Sequence, residues 1–114
     1  MNAIIHTLSV IRGDQRPEFI RTEVLSDILD HTAEQYPTHI ALIDQDRQIS
    51  YAELQQQVDQ IAQQLIQRGV KAGDRVGLWL PRGADLLIAQ AGICKAGAAW
   101  LPFDMDVPVD RIQV

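Results

Sequence analysis

Apolar positions fall into three helical stripes and several short strand-like runs along this chain. The first stripe, Leu25, Ile28, Leu29 and Ala33, recurs at helical spacing, with Thr22 placed to cap its start and Pro37 just past its end. A short apolar strand follows at Ile40 to Ile43, then an Asp-Gln-Asp-Arg turn and a second short strand. The pattern predicts a hairpin, although the turn lacks the Asn-Gly or Asp-Gly that hairpins favour. The best-specified helix begins at Ser50. Glu53 lies three residues on, so the two side chains can satisfy each other's free backbone donors in a capping box. Leu54, Val58, Ile61, Ala62 and Leu65 form its apolar stripe, glutamines occupy most of the remaining face, and Gly69 stands where a left-handed residue would end it.

"GDRVGLWLP" is predicted as the next strand. Val76, Leu78 and Leu80 alternate with Gly77 and Trp79, so both faces are non-polar, as in a strand covered on both sides within a parallel sheet. A helix over about Ala84 to Ala96 carries Leu87, Ile88, Ala91 and Cys94. Its small residues Ala89, Ala91 and Gly92 are expected to let it approach a sheet closely. "AAWLPFD" then reads as another apolar strand. Strand, helix and strand make a βαβ unit, expected to be right-handed. The predicted class is α/β: mainly parallel strands with flanking helices plus a short hairpin. Residues 1–21 form an irregular lead-in, and 22–114 form the structured part.

Bulk properties narrow the function classes. At 114 residues the chain is at most one domain. Its 46% hydrophobic and 22% charged content is that of an ordinary globular protein. A net charge of −5, with Lys71 and Lys95 the only lysines, argues against a nucleic-acid or anionic-membrane partner. The lone cysteine, Cys94, excludes an internal disulfide and fits a reducing cytoplasm. The N-terminal run lacks the basic start and the long apolar core of a signal peptide. No stretch approaches the roughly 20 apolar residues of a membrane span.

Two motifs carry a family resemblance. "ISYAEL" (49–54) supplies Ser50, Tyr51, Glu53 and Leu54. It resembles the first core motif of the adenylate-forming enzymes, above all the amino-acid adenylation domains of nonribosomal peptide synthetases. "CKAGAAWLPFDMDVPVDRI" (94–112) resembles their second motif through Lys95, Ala96, Gly97, Ala99, Pro102, Asp104, Pro108 and Arg111. The likeness runs in order from about Leu25 to Ile112. Trp100, Phe103, Cys94 and Val107 depart from the family's usual residues, each by an apolar exchange. The Pro-Phe-Asp ending resembles the amino-acid branch more than the acyl-CoA ligases, which commonly carry Asn in place of the aspartate. The lead-in "RPEFIRTEVLSDI" resembles the start of stand-alone synthetases that polymerise one amino acid.

The resemblance implies a parent that activates an amino-acid carboxylate with MgATP, releasing pyrophosphate. The aminoacyl group then passes to a phosphopantetheine thiol on a carrier protein. Such chemistry needs a Ser/Thr/Gly-rich loop around the phosphates and dedicated acidic and basic groups. In the family these lie downstream of the second motif. The chain has no such loop, its serines being Ser9, Ser26 and Ser50. The matched residues are therefore expected to be scaffold: residues 22–114 form the N-terminal segment of the large adenylation subdomain, with no catalytic, cofactor or metal site of their own. The partners expected are the remainder of that domain and a carrier protein.

Competing readings of single residues lean the same way. Lys95 could touch a phosphate, but a cation in the last helical turn suits the helix dipole. Gly97 most simply ends the helix, with Ala98 and Ala99 allowing close helix–sheet contact. Asp44 with Asp46, and Asp104 with Asp106, form D-x-D patterns best read as solvated turn carboxylates. Cys94 reads as a core residue. His6, His31 and His39 lack metal-ligand spacing. Two alternatives stand beside the adenylation-domain reading: a piece of an acyl- or aryl-CoA ligase, and a short non-enzymatic α/β binding or oligomerisation module. Two parallel strands alone leave an open sheet edge, so self-association of the isolated piece is expected.

Overall fold

A computed structural model describes residues 13–19, 23–108 and 110. After an exposed 3-10 turn at Pro17–Phe19 come helix α1 (Leu25–Gln35), strands β1 (Ile40–Asp44) and β2 (Arg47–Ser50), and helix α2 (Tyr51–Gln67). Strand β3 (Arg75–Leu78), helix α3 (Ala84–Lys95) and strand β4 (Ala99–Pro102) complete the order.

Strands β1 and β2 pair antiparallel across a two-residue turn, with Asp44 opposite Arg47. Gln45 takes the positive φ, 53°, that the missing Asn-Gly would have supplied. The register shifts between Ile40 and Leu42, where the strand bulges. Strands β3 and β4 pair in parallel from Arg75 opposite Ala99 to Leu78 opposite Pro102. The sheets are separate and two-stranded. The α/β class and the hairpin stand, but parallel strands do not predominate: one pair is parallel and one antiparallel.

Helix α2 follows its sequence closely. Glu53 N–H donates to Ser50 Oγ at 3.2 Å, and Ser50 N–H donates to Glu53 Oε2 at 3.2 Å, closing the capping box. Leu54, Val58 and Ala62 are buried, and Val58 is fully enclosed. Burying such a side chain favours folding by about 2 kcal/mol. Both α2 and α3 end on a left-handed glycine. Gly69 has φ 96°, with Val70 N–H reaching Leu65 O at 3.0 Å; Gly97 has φ 83°, with Ala98 N–H reaching Ile93 O at 3.1 Å. This six-to-one bond is the Schellman closure that satisfies carbonyls left free at a helix end.

Helix α1 departs from its stripe. Ala33 is buried and Leu29 half-buried, yet Leu25 is 64% and Ile28 47% exposed. The N-cap is Val24, whose N–H donates to Asp27 Oδ2 at 3.1 Å, and Thr22 lies outside the described residues.

Helix α3 is apolar around most of its circumference because it joins two cores. Ala84 and Ile88 pack with Ile49, Leu54 and Val58, whereas Ile93 packs with Leu78 and Ala98. Its small residues serve helix–helix contact as much as helix–sheet contact. A Cβ on Gly92 would lie 2.5 Å from Ile61 Cγ2 of α2. The expected two-sided cover of β3 is also absent. Val76 and Leu78 pack towards Ile93 and Ala98, whereas Arg75 and Gly77 on the other face and all of β4 are exposed.

Candidate functional site

The first motif turns the hairpin into α2. Ser50 and Glu53 use their side chains on each other's backbone. Tyr51 N–H donates to His39 O at 2.9 Å and Ala52 N–H to Pro37 O at 3.0 Å, fixing the chain that leaves α1 against the start of α2. Leu54 enters the core.

In the second motif the informative residue is Lys95, which ends α3. Its ammonium sits between two carboxylates, Asp30 of α1 at 2.7 Å and Asp59 of α2. Gln55 Nε2 donates to the same Asp30 Oδ1 at 3.1 Å. Three helices therefore meet at one ion cluster. Burial works to raise the Asp30 pKa, but hydrogen bonds from Lys95 and Gln55 and the ammonium charge outweigh it, leaving the carboxyl below its ordinary value. Burial works to lower Lys95, yet its bonds to Asp30 and Asp59 and their charges hold it above its ordinary value. Each partner favours the other's charged form. The helix-end reading of Lys95 holds for its position and misses its partners. Asp30, Asp59 and Gln55 were not legible as site residues. Asp30 and Asp59 stand one position past the stripe residues Leu29 and Val58, and that spacing does not mark them, because neighbouring helix positions face different ways.

Asp44 is a second correction. Rather than a solvated turn carboxylate, it accepts from the Ala84 backbone N–H at 3.0 Å and so caps α3 from another element. Arg47 on the same hairpin donates to Asp85 at 2.8 Å and to Gln57 at 3.3 Å.

Ala96, Gly97 and Ala99 build the α3–β4 joint. Gly97 O accepts from Gly73 N–H at 2.9 Å, and a Cβ on Gly97 would lie 3.3 Å from Ala72 Cα, so two backbones meet there. Pro102 closes β4. Beyond it, Phe103 N–H continues the ladder to Leu78 O at 2.9 Å, and the Asp104 carbonyl accepts from Trp79 Nε1–H at 3.0 Å. Asp104 and Pro108 are exposed, and Arg111 lies outside the described residues.

An apolar groove of about 340 Å³ runs beside α1, lined among others by Leu25, Leu29, Leu42, Leu54, Leu87 and Cys94. Cys94 is half-buried in this wall rather than in the core, and burial pushes its thiol pKa up. A raised pKa leaves little thiolate, so this is no activated nucleophile.

ATP and magnesium, which the resemblance implies for the parent, do not fit the described residues. The motif lysine is held by two carboxylates and Asp44 holds a backbone amide. Among the described residues no three His, Cys, Asp or Glu side chains gather as a metal site would require. His31 and His39 are exposed, and His39 stacks on Tyr36 with ring centroids 5.1 Å apart. His6 lies outside the described residues. No step of nucleotide chemistry follows from this set. Among the described residues no helix is long and apolar enough to cross a membrane.

A joint of capped helices around a parallel pair, bearing both motifs, defines a corner of the adenylate-forming fold. The profile described as "AMP-binding enzyme" matches residues 29–114, and the chain belongs to that family. It is 57% identical over 111 residues to the Delta-poly-L-ornithine synthetase of Acinetobacter baumannii (strain AB307-0294), covering 97% of this chain and 8% of that protein. It is 34% identical over 95 residues to Gramicidin S synthase 2 of Brevibacillus brevis, covering 83% of this chain and 2% of that one. Among solved structures, the Klebsiella oxytoca NpsA N-terminal subdomain, in complex with 3-hydroxyanthranilyl-AMSN, superposes with TM-score 0.73 at 30% identity, over 80% of this chain and 23% of that one. The chain therefore corresponds to an N-terminal piece of a nonribosomal-peptide-synthetase adenylation domain and spans a small fraction of the relatives it matches.

Proposed function

We propose that this chain is a structural corner of an amino-acid-activating adenylation domain and is inactive alone. The observation that carries the reading is the engagement of Lys95, the motif cation, by Asp30 and Asp59, which leaves it bracing helices rather than facing a substrate. The open β3–β4 pair is where the remainder of the domain adds its sheet. The parent binds ATP and magnesium, forms an aminoacyl adenylate with release of pyrophosphate, and passes the aminoacyl group to a carrier-protein thiol in the cytoplasm. The match to an artificially fused adenylation–PCP di-domain from Klebsiella oxytoca supports the carrier partner. The 57% identity to a Delta-poly-L-ornithine synthetase supports a parent that polymerises one amino acid, with L-ornithine the first substrate to assay.

ATP–pyrophosphate exchange tests this reading. The isolated chain is expected to give none with any amino acid, and the full-length parent to give exchange with L-ornithine above other amino acids. Exchange by the isolated chain above an enzyme-free blank overturns the scaffold assignment.

A further inference from the structure

Helix α1 is joined to the rest of the fold in an uneven way. At its C-terminal end the connection is tight: Tyr36 N–H closes on Thr32 O at 2.8 Å, and the following Pro37 and His39 carbonyls accept from Ala52 and Tyr51. Along its length the apolar hold is slight. Ala33 is its one buried residue, and Leu25 and Ile28 at the other end stand open. Between the two ends, Asp30 ties α1 to both neighbouring helices through a single oxygen, which accepts from Lys95 at 2.7 Å and from Gln55 at 3.1 Å. Other α1 side-chain bonds among the described residues are local: Thr32 Oγ1–H donates to Ile28 O, and Asp27 Oδ2 accepts from Val24 N–H.

We propose that α1 is a latched strap: it pivots at Tyr36–His39, the Asp30–Lys95–Gln55 contact holds it down, and release of Asp30 swings away the wall that α1 gives the apolar groove, baring Cys94 on the opposite wall. Lys95 is a positioning residue in this device. Asp59 keeps a second hold on the ammonium when Asp30 leaves, so α3 and α2 stay braced while α1 moves. Release parts only Leu29 and Ala33 from their apolar contacts, since the fully buried side chains of the main core come from α2, α3 and the hairpin. Elements held by few apolar contacts open locally at the low end of the stability range.

Cys94 makes the device measurable, because it is the chain's sole cysteine and lines the groove with Leu25 and Leu29. In the full 114-residue chain, labelling by a thiol-reactive disulfide reagent is expected to speed up roughly tenfold in Asp30→Ala, the effect of losing one charge-assisted hydrogen bond. Asp59→Ala, which leaves α1 latched, is expected to stay near the wild-type rate. Equal acceleration in both variants, or none in Asp30→Ala, overturns the latch. A measurement on the unmutated chain covers poor folding of a variant: amide hydrogen exchange with added salt. Salt is expected to hasten exchange in α1 while leaving α2 unchanged, and parallel acceleration of both helices overturns the proposal.

Discussion

The Asp44 carboxylate at the end of β1 accepts the backbone N–H of Ala84, the first residue of α3, at 3.0 Å. A helix start normally finds its cap in the residue just before it, but Gly83 has no side chain to offer. The hairpin supplies the missing oxygen from forty positions away. Asp44→Ala should lower unfolding free energy by about 1 kcal/mol, the usual cost of a lost helix cap. Asp44→Asn, which keeps an acceptor oxygen, should lose less. Urea denaturation followed by circular dichroism measures both, and equal losses in the two variants would show that charge rather than capping is at work.

The contact of Gly92 on α3 with Ile61 on α2 yields the next expectation. A Cβ on Gly92 would meet Ile61 Cγ2 at 2.5 Å and Ile61 Cβ at 2.8 Å, distances no packed interior tolerates. Gly92→Ala should therefore destabilise by about 1–3 kcal/mol despite alanine's better helix propensity. Combining it with Ile61→Ala should cost less than the two single changes summed, since the clash partner is removed. Additive losses in a double-mutant cycle would place the strain elsewhere.

What could be read from the sequence divides by distance along the chain. The capping box of Ser50 and Glu53 and the glycine ends of α2 and α3 are local, and each lies where its neighbours predicted. The parallel pair around α3 was equally legible, because a strand, a helix and a strand of these lengths have few ways to pack. Asp44 was misread, and Lys95 placed without its partners, for the opposite reason. Their partners lie 40 and 65 positions away, and no periodicity marks which carboxylate will face which amide or ammonium. The small residues of α3 were assigned to the sheet because spacing shows that a side is narrow without showing what lies against it; Gly92 faces Ile61. The stripe on α1 was real, but the groove beside it is only partly filled, so Leu25 and Ile28 remain exposed.

The Asp30–Lys95 pair fixes a pH dependence with two limbs. Burial pushes Asp30 up from its ordinary 3.8, but its bonds to Lys95 and Gln55 win and the folded value lies lower. Its contribution to stability is thus present above 3.8 and is lost as pH falls through the lowered value. Burial pulls Lys95 down from its ordinary 10.5, but Asp30 and Asp59 win and the folded value lies higher. That contribution is present below 10.5 and is lost as pH rises through the raised value. Between the two limbs this cluster is constant. Urea unfolding of wild type and Asp30→Asn across the acid range should show their stability difference shrinking as pH drops below 3.8. A difference that stays level there would mean that Asp30 carries no shifted proton.

The exposed β3–β4 pair sets the solution behaviour of the isolated chain. Each strand has a neighbour on one side only among the described residues, so a row of backbone donors and acceptors is open on either edge. The surrounding surface is apolar: Leu101 is 47%, Trp79 38%, Leu80 38% and Trp100 37% exposed. An open edge beside aromatic and aliphatic side chains is a template for pairing with another chain. In the absence of the rest of an adenylation domain, the available strand is that of a second copy. Sedimentation velocity should therefore show the average mass rising with concentration above that of a 12.8 kDa monomer. Leu101→Lys, which adds a charge to an already exposed position, should shift the distribution back towards monomer. A chain that stays monomeric at high concentration and melts cooperatively would show that the pair needs no cover, and the docking role assigned to this sheet would fall with it.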